Sequence, residues 1–463
     1  MSSNVLPAPT ADPAAASAPP QPRQPASWAS LPAELKERIV ALVAADPEKG
    51  RASLPRSVAQ LCSVNRELRD LARPFLWKFV ELDGRSSEQL LLFFRDISPE
   101  VASFIRKLRW DHVSIIDKDR SSLSQATIDG AEVAAGLSSS HLASDSFRCR
   151  RVPGLLIGEI IKQCTELKQV NFIAIHPEYF GLADNFVDHA FEALVSHAAP
   201  KLRTVEFIVG WNSRIGMQLL PRLLEAATEL EGVQIGVVAR MPWQPADAPG
   251  YGAVWAALSK LKKLEGLMTT LPLPSAEELA ATPLTGPLTH VQLDALDIPS
   301  PPALAALLRP VTSTLESLSL NYSEAKGRAI LSFDLSALLR PTPPSYDFPP
   351  LTFPKLAHLA VRDAPALLPV FTPPPSASSS SLRALAFENL TIRHLTPLLA
   401  LVEAHKSTLK AIQFRVSNPD DPTAGYFEVF AELSEWAEKN GVELDLDMDD
   451  DGSGDEDFEE DDL

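Results

Sequence analysis

Cysteine is scarce in this chain: Cys62, Cys149 and Cys164 are all there are in 463 residues, an odd number too widely spread for a disulfide framework. No run approaches eighteen consecutive apolar residues, so no segment reads as a membrane span. Catalytic signatures are missing as well. The sequence contains no H-E-x-x-H, no paired C-x-x-C, no G-x-S-x-G and no glycine-rich phosphate loop, which leads us to expect no enzyme and no cofactor. Cys149, Cys164 and His176, with His189 nearby, come nearest to a metal set, but their irregular spacing favours a buried thiol and surface histidines over a metal site. The sequons at Asn321 and Asn389 read as chance, and the cluster Arg148, Arg150, Arg151 as a solvated loop.

Positive charge is the other shortage: 42 Lys and Arg stand against 60 Asp and Glu, a net −18. Thirteen of the carboxylates lie between Glu443 and Leu463 with no Lys or Arg among them, and removing those thirteen from −18 leaves −5 for residues 1 to 442. The body is therefore near balance, without the electrostatic footprint of a nucleic-acid binder. The stretch 449–463 is self-repelling and expected to be disordered, as is the Pro/Ala/Ser-rich leader 1–27, which has no secretory pattern; an intracellular protein, cytoplasmic and/or nuclear, is expected.

The chain is organised around Leu31 to Trp77. Leu35, Ile39, Leu42 and Val43 fall at i, i+4, i+7 and i+8, one face of a helix that opens on Pro32 and carries Glu34 at its positive end. Val58, Leu61 and Cys62 suggest a second helix, and Leu68, Leu71 and Ala72 a third that stops near Pro74. Three short amphipathic helices in under fifty residues cannot bury all their apolar stripes on one another, so part of that surface should face a partner. At Leu31, Pro32, Glu34, Leu35, Ile39, Leu61, Val64, Leu71, Leu76 and Trp77 the segment, taken as 28–80, resembles an F-box. The resemblance implies docking on the Skp adaptor of a cullin-RING ubiquitin ligase through Leu31, Pro32, Leu35, Ile39, Leu61, Val64, Leu76 and Trp77. A plain N-terminal helical cap on the rest of the chain is the alternative.

Beyond Trp77 one triplet recurs, L-x-x-L-x-L with mixed large apolar residues. It reads Leu167/Val170/Phe172, Leu202/Val205/Phe207, Leu230/Val233/Ile235, Leu264/Leu267 with Thr269 in third place, and Leu288/Val291/Leu293. Leu315/Leu318/Leu320, Leu356/Leu359/Val361, Leu382/Leu385/Phe387 and Leu409/Ile412/Phe414 come after these, with Ile105/Leu108/Trp110 as an earlier candidate. Anchors are separated by 35, 28, 34, 24, 27, 41, 26 and 27 residues, and helix-like runs such as FVDHAFEALVSHAA and LTPLLALVEAHKSTL lie between them. A final helix ending at Gly441 should lead into an edge strand at Val442, Leu444 and Leu446. Segments 117–150, 341–354 and 372–381 read as loop insertions, the first being Ser-rich without a sustained period.

Over residues 81–448 the pattern resembles leucine-rich repeats, which implies an α/β solenoid of parallel strands with returning helices; a parallel sheet with helices on both faces fits the same alternation. In a repeat strand the triplet points inward, so the residues between and after it face a partner. That rule selects Gln169, Asn171, Thr204, Glu206, His290, Gln292, Asp294, Ser317, Ser319, Asn321, His358, Arg362, Glu388, Gln413 and Arg415. The expectation is then a non-catalytic substrate-recognition subunit of a Skp-cullin-F-box type ligase, the helices holding the adaptor and, through it, cullin, and the repeats holding an unknown protein substrate. A repeat scaffold acting outside any ligase is the alternative.

Overall fold

The computed structural model describes residues 28, 31–44, 56–119, 123–137, 145–174, 187–210, 218–238, 251–294, 301–321, 351–362, 371, 381–388, 395–416 and 425–448. The leader, the stretches 341–350 and 372–380, the acidic tail and His176 lie outside them. The chain forms two compact units that divide between Leu76 and Trp77.

The first unit is three helices, α1 (Ala33–Ala44), α2 (Arg56–Val64) and α3 (Arg66–Leu76). Asn65 breaks α2 from α3 and caps the latter, its Oδ1 accepting from the Leu68 N–H at 2.8 Å. The helix runs on through Pro74 to Leu76 rather than stopping at the proline. In the last turn a proline forfeits one backbone hydrogen bond and leaves most of the helix ladder untouched. Val40, Val58, Leu68 and Ala72 form the core, with Leu61, Leu71, Phe75 and Leu76 packed at its margin. Lys36 is buried and donates to Glu67 Oε1 at 2.6 Å, while the Trp28 indole donates to Oε2 at 3.2 Å, which pins α1 to α3. The Lys36 hydrogen bond holds the Glu67 carboxyl below its usual range.

The second unit carries one twelve-stranded sheet whose strands lie in chain order, each pairing parallel with the next: β1 (Phe79–Glu81), β2 (Lys107–Asp111), β3 (Gln169–Ala174), β4 (Thr204–Gly210), β5 (Gly232–Val238), β6 (Gly266–Thr269), β7 (His290–Leu293), β8 (Ser317–Asn321), β9 (His358–Arg362), β10 (Ala384–Glu388), β11 (Ala411–Val416) and β12 (Glu443–Met448). The triplets explain it. The first apolar residue of each is buried just before a strand, and the second and third are the inward positions of that strand. In register, the third positions make a continuous row: Trp110, Phe172, Phe207, Ile235, Thr269, Leu293, Leu320, Val361, Phe387, Phe414 and Leu446. Thr269 belongs to this row and is buried, its hydroxyl accepting from the Leu271 N–H at 3.0 Å.

Helices return between strands and share the sheet's core, among them Phe191, Leu223, Val254, Trp255, Leu304, Leu398 and Val429. Around β2 to β4 the core is aromatic: the Phe172 ring lies 5.0 Å from Trp110, 5.4 Å from Phe191 and 6.0 Å from Phe207. The alternate strand positions stay half-buried or exposed, apart from Asn171, so the described helices line one face and the other is open. The last helix (Tyr426–Asn440) ends on Gly441 at φ 67°, the left-handed cap that glycine adopts without strain, and β12 comes next as the edge.

The segment 117–150 corrects the sequence reading. After the short helices α4 (Ser87–Leu92) and α5 (Ser98–Val101), helices α6 (His112–Asp119), α7 (Gln125–Ala134) and α8 (Asp145–Gln163) occupy most of it in place of the expected loop. Ser124 caps α7 by accepting from the Thr127 N–H at 3.2 Å, and Thr127, Ile128, Ala131 and Glu132 are buried. Two of those four are polar, which is why the sequence shows no hydrophobic period there.

Candidate interaction surfaces

No side chain on α1 other than Lys36 and Val40 is buried among those the structure describes. Leu35 is 47%, Ile39 40% and Leu42 67% exposed. At one hundred degrees per residue these three fall on one stripe turned away from the Val40 side, so α1 presents an apolar face to solvent. Val64, at the end of α2, is 63% exposed, Pro32 is exposed and Leu31 half-buried. Apolar groups grouped on one exposed face gain nothing by standing in water.

The structure divides the rest of the residues assigned to this surface. Leu61 and Leu76 pack on the helical core. Trp77 falls in the second unit, packed against that unit's core with its ring 6.1 Å from Phe93. The second unit's first strand starts at Phe79, so residues 77–80 belong with the sheet.

The open face of the sheet gathers the selected polar residues into three groups. On β3 and β4, Gln169 is in register with Thr204 and Asn171 with Glu206. Asn171 donates to the Glu206 carboxylate, and Gln169 reaches the Asn171 carbonyl oxygen at 3.4 Å. On β7 and β8, Gln292 donates to Asp294 Oδ2 at 2.8 Å and Asn321 to its Oδ1 at 2.5 Å, while the Ser319 hydroxyl donates to Asn321 at 3.2 Å. His290 is exposed at the strand start, opposite Ser317. On β9 to β12, Arg362, Glu388, Arg415 and Asp447 stand in register on four successive strands and alternate in sign. Exposed His358 and Gln413 lie on the same strands.

Several open-face residues escape the triplet rule. Gln234 and Met268 share the row of Glu206 and Gln292, and Gly232 and Gly266 occupy the row of Thr204 and His290. A Cβ on Gly266 would meet nothing within 4 Å, so the floor between the first two groups is low and open. Ala360, Ala384, Ala386 and Ala411 make a second low stretch beside the charged row. On β2, Arg109 Nε lies 2.7 Å from Asp83 Oδ2. Burial, with the Asp83 charge second, pushes the nearby Glu81 carboxyl up.

A polar face of both signs can hold a macromolecular surface by many small contacts. Among the described residues, no three His, Cys, Asp or Glu side chains are grouped so as to hold a metal ion. Cys164 is buried, and burial pushes its thiol up to about 12, so it stays protonated and unreactive. No described helix is long and apolar enough to cross a membrane. No family model matches the chain, and no curated protein matches it.

Proposed function

We propose that this chain is a non-catalytic substrate receptor of a Skp-cullin-F-box type ubiquitin ligase, its three-helix unit an F-box and its sheet a leucine-rich-repeat-like array. One observation carries the reading: Leu35, Ile39 and Leu42 stand exposed on a helical unit whose own core is complete without them. The open, polar sheet face supplies the second half of a two-ended adaptor. The Skp-type partner would close over the α1 stripe and bring the cullin with it. A protein substrate would lie across Gln169, Asn171, Thr204, Glu206, His290, Gln292, Asp294, Ser319, Asn321, His358, Arg362, Glu388, Gln413 and Arg415.

In this reading the chain breaks no bond. It raises the effective concentration of substrate lysines near a charged ubiquitin-conjugating enzyme, and the rate gain comes from positioning. The proposed site of action is the cytoplasm, the nucleus or both. Copurification of adaptor and cullin with the full-length chain tests it; a chain that captures substrates without either is a scaffold.

A further inference from the structure

The residue just before each strand forms its own row along one sheet edge, fixed by the backbone ladder: the Arg106 N–H donates to the Lys78 carbonyl, Lys168 to Arg106, Arg203 to Lys168, Glu231 to Arg203 and Glu265 to Glu231. Along β1 to β4 the row is Lys78, Arg106, Lys168 and Arg203, four cations on four neighbouring strands. Lys107 and Lys201 flank it, and Lys78, Lys168, Lys201 and Arg203 are exposed. From β5 the sign reverses, with Glu231, Glu265 and Glu316 ahead of β5, β6 and β8.

The carboxylates that answer this block are few. Glu166 pairs with Lys201 at 3.3 Å, and Glu231 pairs with Arg203. The Lys201 hydrogen bond, helped by the fields of Arg106 and Lys168, holds Glu166 below its usual range, so one carboxylate serves several cations. Arg106 donates to the Ser103 carbonyl at 2.7 Å and Lys107 lies over the Phe79 ring at 5.1 Å, contacts with uncharged groups. Among the described residues Lys78 and Lys168 have no ion-pair partner.

We infer that this rim binds a short acidic segment of a partner protein. Charge complementarity gives the sign in a chain that is otherwise net negative, and the reversal at Glu231 gives the length. Strands lie about 4.8 Å apart, so the cationic stretch spans roughly 14 Å and matches about four to five residues of extended chain. A nucleic acid strand would run on into Glu231 and Glu265. Each exposed pair contributes little, so affinity is collective and falls with added salt. Binding at the rim is independent of whether the helical unit engages an adaptor.

Fluorescence anisotropy of labelled hexaglutamate with the full-length chain tests it. Hexaglutamate should bind at low ionic strength and weaken with salt, hexalysine should not bind, and Arg106→Glu with Lys168→Glu should weaken binding roughly tenfold or more. Arg383→Glu with Lys410→Glu, on the same rim ahead of β10 and β11, should leave it unchanged. Lys78→Gln with Lys168→Gln, both side chains exposed, repeats the test should the reversal variant fail to fold. The inference is overturned by no hexaglutamate binding, by equal loss in the two reversal pairs, or by a thymidine hexanucleotide binding as tightly with the same dependence on Arg106 and Lys168.

Discussion

Asn321 on β8 donates its side-chain amide to Asp294, the residue just after β7, at 2.5 Å, while Gln292 donates to the other carboxylate oxygen at 2.8 Å. The Asp294 carboxylate is thus held in place in the middle of the open face. If that face takes the substrate, Asp294→Lys with Arg362→Glu and Arg415→Glu reverses the charge at three of its positions. Substrate capture should be lost with folding and adaptor binding intact, as read by crosslinking and quantitative proteomics beside wild type. Unchanged capture by this variant, with loss instead on altering residues 123–137, would move recognition to α7.

Phe172 touches Trp110, Phe191 and Phe207, and all four are fully buried. Phe172→Ala should destabilise the second unit by about 3–5 kcal/mol, seen as a lower denaturation midpoint in guanidinium. A loss under about 1 kcal/mol would mean that the ring cluster is not a packed core.

His112 is fully buried with neither ring nitrogen partnered, and burial pushes it down to about 4. In the unfolded chain it titrates near 6.5. Between those values the unfolded state takes up a proton that the folded state refuses. Stability is therefore greatest above about pH 6.5, falls as the pH drops toward 4, and loses nothing further from this group below that. The full effect is about 3 kcal/mol. Comparing urea melts of wild type and His112→Leu at pH 7 and pH 4 checks it: the variant should lose that much less on acidification, and parallel losses refute the account.

A Cβ added at Gly158 would sit 2.4 Å from His189 Cδ2 and 3.0 Å from the His189 carbonyl oxygen. Gly158→Ala should therefore push α8 off its neighbouring helix (Asp188–Ala193), costing about 1–3 kcal/mol in a thermal or urea melt. Gly136→Ala, where φ is 69° and nothing lies within 4 Å, meets backbone strain and no clash, and makes a useful comparison.

The triplets are legible because burial and strand geometry coincide there: each inward pair sits at strand spacing with a turn before it, as at Leu202, Val205 and Phe207. Other features lack such coincidence. β1 has three residues and its triplet, Trp77/Val80/Leu82, overlaps the helical segment, and α7 hides behind buried Thr127 and Glu132. The short helix Ala276–Ala281 carries a capping box, Ser275 with Glu278, a spacing the sequence displays but six residues give too short an apolar period to support. Trp77 resembles part of the helical surface because sequence proximity does not show which core a side chain joins. The low floor at Gly232 and Gly266 and the basic rim are properties of register, which emerges only once the strands are paired.

The central claim is tested most directly by binding the full-length chain to a purified Skp-type adaptor bound to its cullin. Leu35→Asp with Ile39→Asp places two carboxylates on an exposed stripe, so the free chain should melt as wild type does, whereas at a closed contact two unpaired charges would cost several kcal/mol, on the order of 3 or more. The account predicts that wild type captures the complex and the double variant does not. Capture of both at equal yield, or of neither, would contradict it.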